Sequence, residues 1–82
     1  MDLRDLRTFV AVAERASFSR AAEQLRIAQP AVSQQIKRLE RDLGASVLRR
    51  STRHVELTPA GEQLLGRARI ILAEVARAED EV

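Results

Sequence analysis

The 82-residue chain contains no cysteine. That excludes disulfides, thiolate catalysis and cysteine-based redox sensing, and makes a reducing cytosol the expected compartment. Aromatic side chains are limited to Phe9 and Phe18, so there is no stacking platform for single-stranded nucleic acid. The longest uninterrupted apolar run, Phe9 to Ala13, is far short of a membrane span. The opening residues M-D-L-R-D have neither the basic start nor the apolar core of a secretory signal. The single histidine, His54, has no partner set around it for a triad or a metal site, and a glycine-rich phosphate loop is lacking. No enzyme, cofactor or metal is therefore expected. What is present, 45% hydrophobic and 32% charged residues, is ordinary for a small helical protein with one modest core.

Net charge is only +2, and its distribution says more than its sum. Residues 1–58 hold eleven basic and seven acidic side chains, net +4, whereas residues 59–82 hold three and five, net −2. Within 26–53 the balance is seven basic to two acidic, net +5. A basic middle of this kind is what a polyanion-binding surface requires, although a solvated surface with scattered arginines has the same sum.

Residues 28–44, A-Q-P-A-V-S-Q-Q-I-K-R-L-E-R-D-L-G, organise the chain. Pro30 is tolerated in the first turn of a helix and Gly44 suits the position just past its end. Val32, Ile36, Leu39 and Leu43 form one apolar stripe. Pro30, Ser33, Gln34, Lys37 and Arg41 fall on the opposite face with Arg38 at its edge, and that face carries no carboxylate. Such a helix can pack one side into a core and offer the other to base-pair edges.

Before it, residues 2–16 read as a helix capped by Asp2, with Leu3, Leu6, Val10 and Ala13 as its stripe and Phe9 beside them. Ser17 or Ser19 caps a short helix over 20–25, and a turn of about three residues leads into the organising helix, the pattern of a helix-turn-helix. Beyond Gly44, residues 46–50 and 55–57 predict a small β-hairpin with an arginine-bearing tip. Thr58 and Pro59 start a last helix that can run to Val82, roughly 36 Å long. Its Leu64, Ala68, Ile71, Val75, Ala78 and Val82 repeat as a heptad, and Leu65, Leu72 and Ala76 add a second stripe. Pairing with the same helix of a second chain is the natural outlet for so much apolar surface.

S-F-S-R-A-A-E-Q-L at 17–25, Q-P-A-V-S-Q-Q-I-K-R-L-E at 29–40, L-G at 43–44 and L-T-P-A-G at 57–61 resemble the N-terminal domain of LysR-type transcriptional regulators. The resemblance implies a mainly α fold: a winged helix-turn-helix over 1–58, with the helix-turn-helix at 18–37 and the wing at about 46–58. A linker helix at 59–82 follows, pairing two subunits through Leu64, Leu65, Ala68, Ile71, Leu72 and Val75. It implies sequence-specific binding of a dyad-symmetric T-N11-A duplex in a bacterial, nucleoid-associated cytoplasmic setting. A tetramer is implied for the full-length protein, with a small-molecule-sensing C-terminal domain that these residues do not include. Carried over by position, Gln29, Pro30, Ser33 and Gln34 would contact bases, Arg53 would enter the minor groove, and Lys37, Arg38, Arg49 and Arg50 would contact phosphates. Ala28, where many relatives have Ser or Thr, and Leu48, where Phe is frequent, depart from the pattern. The main rival is a protein-interaction module built on the last helix, which would give no reason to clear carboxylates from the Pro30–Arg41 face.

Overall fold

Three of the four helix starts among the described residues are set by a side-chain hydrogen bond. In the computed structural model, which describes residues 1–51 and 54–82, Asp2 caps α1 (Leu3–Arg15) by accepting from the Asp5 N–H at 2.8 Å. Ser17 caps α2 (Phe18–Leu25) by accepting from the Arg20 N–H at 3.1 Å, so this helix begins two residues earlier than the sequence reading placed it. Helix α3 spans Gln29–Leu43 and ends at Gly44, whose φ of 66° is the left-handed value that glycine adopts without steric cost. Its start at Ala28 has no side-chain cap, as expected from alanine at that position. Strands β1 (Leu48–Arg50) and β2 (Val55–Leu57) pair antiparallel, with Leu48 opposite Leu57, Arg49 opposite Glu56 and Arg50 opposite Val55. Helix α4 (Pro59–Glu81) completes the chain. This is the winged helix-turn-helix expected from the sequence.

The core is one cluster. Phe9 and Val12 of α1, Phe18 and Ala21 of α2, Val32, Ile36 and Leu39 of α3, Val47 and the β1 residue Leu48 are all buried in it. Two stripe assignments change. On α1 the inward face is Asp5, Leu6, Thr8, Phe9 and Val12, while Leu3 is 39% exposed and Val10 half-buried. The α1 stripe centres on Phe9, and an apolar count cannot see buried Asp5 and Thr8. On α3 the stripe ends early, because Leu43 is 41% exposed at the helix terminus.

The wing is fastened to the start of α4. Thr58 accepts from the Gly61 N–H at 3.0 Å and donates its hydroxyl to the Ser46 carbonyl at 2.6 Å, while its N–H donates to the Val47 carbonyl at 3.1 Å. Glu40 of α3 accepts from the Val47 N–H at 2.9 Å and the Ser46 hydroxyl at 3.2 Å. Three elements thus converge on residues 46–47.

Along α4 the heptad is divided between two environments. Ala68 is fully buried within the chain, and Leu64 and Leu65 pack partly against the core. Ile71 is 39% and Ile70 59% exposed, with Leu72 and Val75 half-buried. The dimer contact expected at Ala68 is therefore corrected: its methyl is already enclosed by its own domain. Among the described residues, nothing lies within 4 Å of a methyl built at Gly66, so none of them makes a close approach there.

Candidate nucleic-acid interface

The first turns of α3 present their polar residues outward because Val32, Ile36 and Leu39 occupy the opposite side in the core. Gln29, Pro30, Gln34, Lys37 and Arg41 are exposed, and Ser33 is half-buried. Ser33 and Lys37 line a cleft with Phe18, Ile36, Glu40, Leu48 and Arg50. Gln29 lines the adjoining cleft with Ser17, Ser19, Arg20, Arg50, Ser51 and His54. The α3 face, the start of α2 and the base of the wing therefore form one continuous concave surface, and Arg50 belongs to both of its hollows.

Strand alternation explains the placement of Arg50. Leu48 points into the core, so Arg50, two residues on, points to the same side, and Arg49 points away opposite Glu56. The Arg50 guanidinium consequently lies 3.6 Å from the centroid of the Phe18 ring, a cation–π contact that holds the charge beside Ser33 and Gln29. Glu40, the one carboxylate lining these two clefts, is committed to the Val47 N–H and the Ser46 hydroxyl. Among the described residues lining these two clefts, no carboxylate is therefore left without a partner.

At the wing the Ser51 N–H and hydroxyl both donate to the His54 carbonyl, at 3.0 and 3.1 Å, and the His54 N–H donates back to the Ser51 hydroxyl at 3.1 Å. The His54 ring pairs with Glu56 through Nε2 and Oε1. Arg53, the expected minor-groove residue, lies outside the described residues.

Arg38 departs from its expected place. Its guanidinium turns toward α1 and grips Asp5 in a fork, Nε to Oδ2 at 2.8 Å and Nη2 to Oδ1 at 2.5 Å, with Asp2 a further 3.6 Å away. Asp5 is completely buried, so the pair satisfies a carboxylate that would otherwise be stranded in the core. That hydrogen bonding raises the Arg38 pKa. The Arg38 side chain thus has an internal partner while remaining 44% exposed. Sequence reasoning also passed over Gln35, which accepts from the buried Thr8 hydroxyl, and the stacking role of Phe18. The signal for Phe18 was present, since one of only two aromatics stands directly between Ser17 and Ser19.

Among the described residues, no group of three or more metal-ligating side chains occurs, and no helix is long and apolar enough to cross a membrane.

Comparison with known proteins agrees with this geometry. A family profile described as "Bacterial regulatory helix-turn-helix protein, lysR family" matches residues 3–62. The chain is 60% identical over 73 residues to the HTH-type transcriptional regulator BudR of Raoultella terrigena, covering 89% of this chain and 25% of that protein. It is 53% identical over 78 residues to the regulator CrgA of Neisseria meningitidis serogroup C, covering 95% and 26%. The chain thus spans about a quarter of the length of these curated relatives. Among solved structures, the DNA complex of CbnR_DBD superposes with a TM-score of 0.94 at 43% identity, covering 99% of this chain and 93% of that one. The complex of BenM_DBD with catB site 1 DNA gives 0.95 at 44% identity, covering 99% and 91%. By sequence, fold and the placement of its polar helix face, the chain belongs to the lysR family of bacterial regulatory helix-turn-helix proteins.

Proposed function

We propose that the concave face built from α3, the start of α2 and the wing binds duplex DNA in a sequence-specific manner, as the recognition part of a LysR-type transcriptional regulator. The observation that carries this reading is the outer face of α3. It holds amides, a hydroxyl and cations with no free carboxylate, and it joins a wing arginine already oriented by an aromatic ring. The CbnR and BenM domains that share this fold were crystallised with DNA, which supports the same use here.

In this reading α3 enters the major groove. Gln29 and Gln34 each present a carboxamide to an adenine edge, Ser33 donates or accepts, and Pro30 meets a thymine methyl. Lys37, Arg49 and Arg50 contact phosphates, contributing affinity and salt sensitivity but little sequence choice. Arg53 extends the wing into the minor groove, where its charge meets strong negative potential. Two copies pair through α4, with Ile71, Leu72 and Val75 central and Leu64 and Leu65 sharing their surface with their own core. A dyad-symmetric T-N11-A site follows from such pairing. Regulation by a small-molecule sensor, tetramer formation and a nucleoid location in the bacterial cytoplasm belong to the full-length protein under this proposal.

The test is equilibrium binding by fluorescence anisotropy to a T-N11-A duplex and to a scrambled duplex of equal composition. Gln29→Ala and Ser33→Ala should each cost about 1–3 kcal/mol on the dyad duplex and little on the scrambled one. Unchanged preference in both variants would remove the base-reading assignment. Arg50→Ala should weaken both complexes alike and reduce the salt slope by about one per bound subunit; a loss confined to one sequence would contradict its phosphate role.

A further inference from the structure

Three polar contacts join α1 and the residue preceding its cap to the flank of α3, and they form a ladder. Thr8 donates to Gln35, Asp5 holds Arg38, and the Met1 ammonium pairs with Asp42. As the α1 side steps back from 8 to 5 to 1, the α3 side steps forward from 35 to 38 to 42. These are steps of three and then four on both, one helical face in antiparallel register.

The apolar contacts beside the ladder, Phe9 and Val12 against Val32, Ile36 and Leu39, have little directional preference. Branched side chains can repack after a small slide or rotation, whereas a forked carboxylate–guanidinium pair and a hydroxyl–amide bond cannot. The opposite flank of α1 meets α4, where Ala68 is fully buried and Glu14 accepts from Arg69 Nη2 at 3.1 Å. Helix α1 is thus the strut between the base-reading helix and the helix through which two copies pair.

We propose that the Thr8–Gln35 and Asp5–Arg38 rungs are positioning contacts that fix the register of α3 on α1, and thereby the separation and tilt of the two recognition helices in a dimer bound to DNA; this rests on the functional reading above. The rungs select half-site spacing rather than bases. Polar contacts with one buried partner, as Asp5 is here, can add little net stability over an apolar replacement while specifying a geometry.

The experiment uses Asp5→Leu/Arg38→Met, which replaces the pair by apolar side chains, and Thr8→Val, which removes only the hydroxyl function, with Thr8→Ser as the conservative control. Each is titrated with a T-N11-A duplex and with a T-N12-A duplex carrying one inserted base pair, alongside thermal unfolding. Wild type and Thr8→Ser should favour the first duplex by the same ratio. The double variant should unfold at or above the wild-type temperature, yet its spacing ratio should fall by about tenfold, with Thr8→Val falling in the same direction. If the double variant fails to fold, Thr8→Val alone decides. Weaker binding to both duplexes with the ratio intact would overturn the proposal and return Arg38 to phosphate contact. A wild type that binds both spacings equally would also overturn it. A wild type that binds no duplex at low salt would instead remove the functional reading itself.

Discussion

A methyl group added at Gly61 would lie 2.0 Å from the Val47 carbonyl oxygen, inside the junction where Thr58 ties the wing to α4. A methyl at Gly66, five residues further along the same helix, meets nothing within 4 Å. Gly61→Ala should therefore destabilise the fold by about 1–3 kcal/mol through overpacking. Gly66→Ala should stabilise the isolated chain by about 0.5–1 kcal/mol by removing backbone freedom from the unfolded state. Thermal unfolding at one fixed protein concentration checks both, since the proposed pairing of chains would make the transition concentration-dependent. The uncapped start of α3 is a second single-residue weakness. Ala28→Ser supplies the missing acceptor and should add about 1 kcal/mol. Its effect on DNA binding should be small, because it alters none of the side chains proposed to read bases.

At the scale of elements, α1 is held at its start by Asp2, whose carboxylate accepts the Asp5 N–H and lies near Arg38 and Arg4. These interactions hold its pKa below the ordinary 3.8. A group depressed on folding contributes stability that is fully present above the unfolded value and lost as pH falls through the folded one. Stability measured from pH 6 down to pH 2 should therefore decline on the acid side, and Asp2→Asn, which keeps a capping oxygen but has no charge to lose, should flatten that decline. An identical acid limb in the variant would contradict the assignment. Which elements were legible in the sequence follows from the same chemistry. Helices α3 and α4 were readable to within a residue, since Pro30, Gly44, Thr58 and Pro59 have conformational meanings that do not depend on neighbours. The inward face of α1 was misjudged because Asp5 and Thr8 are buried by partners, Arg38 and Gln35, that lie 33 and 27 residues away. The face of Arg50 depends on which side of a three-residue strand meets Phe18, and short strands carry too few residues for their alternation to declare it.

Across the whole molecule, the division of α4 matters most. Its first half is part of the domain and its second half leaves Ile70 and Ile71 exposed, so an apolar surface continues beyond what one chain covers. The heptad spacing revealed the surface but could not apportion it, because residues such as Ala68 satisfy the repeat while facing their own core. Ile71→Glu should shift the chain toward monomer in light scattering while leaving the helix content of the domain unchanged. An unaltered dimer would move the pairing surface elsewhere.

The proposed function requires that this face bind duplex DNA with two chains per site. The most direct measurement is size-exclusion chromatography with light scattering on the chain mixed with a T-N11-A duplex, repeated across a salt series. Two chains per duplex are expected, with an affinity that falls steeply as salt rises and a slope set by the phosphate contacts proposed for Lys37, Arg49 and Arg50. Absence of any complex at low salt would contradict the proposal.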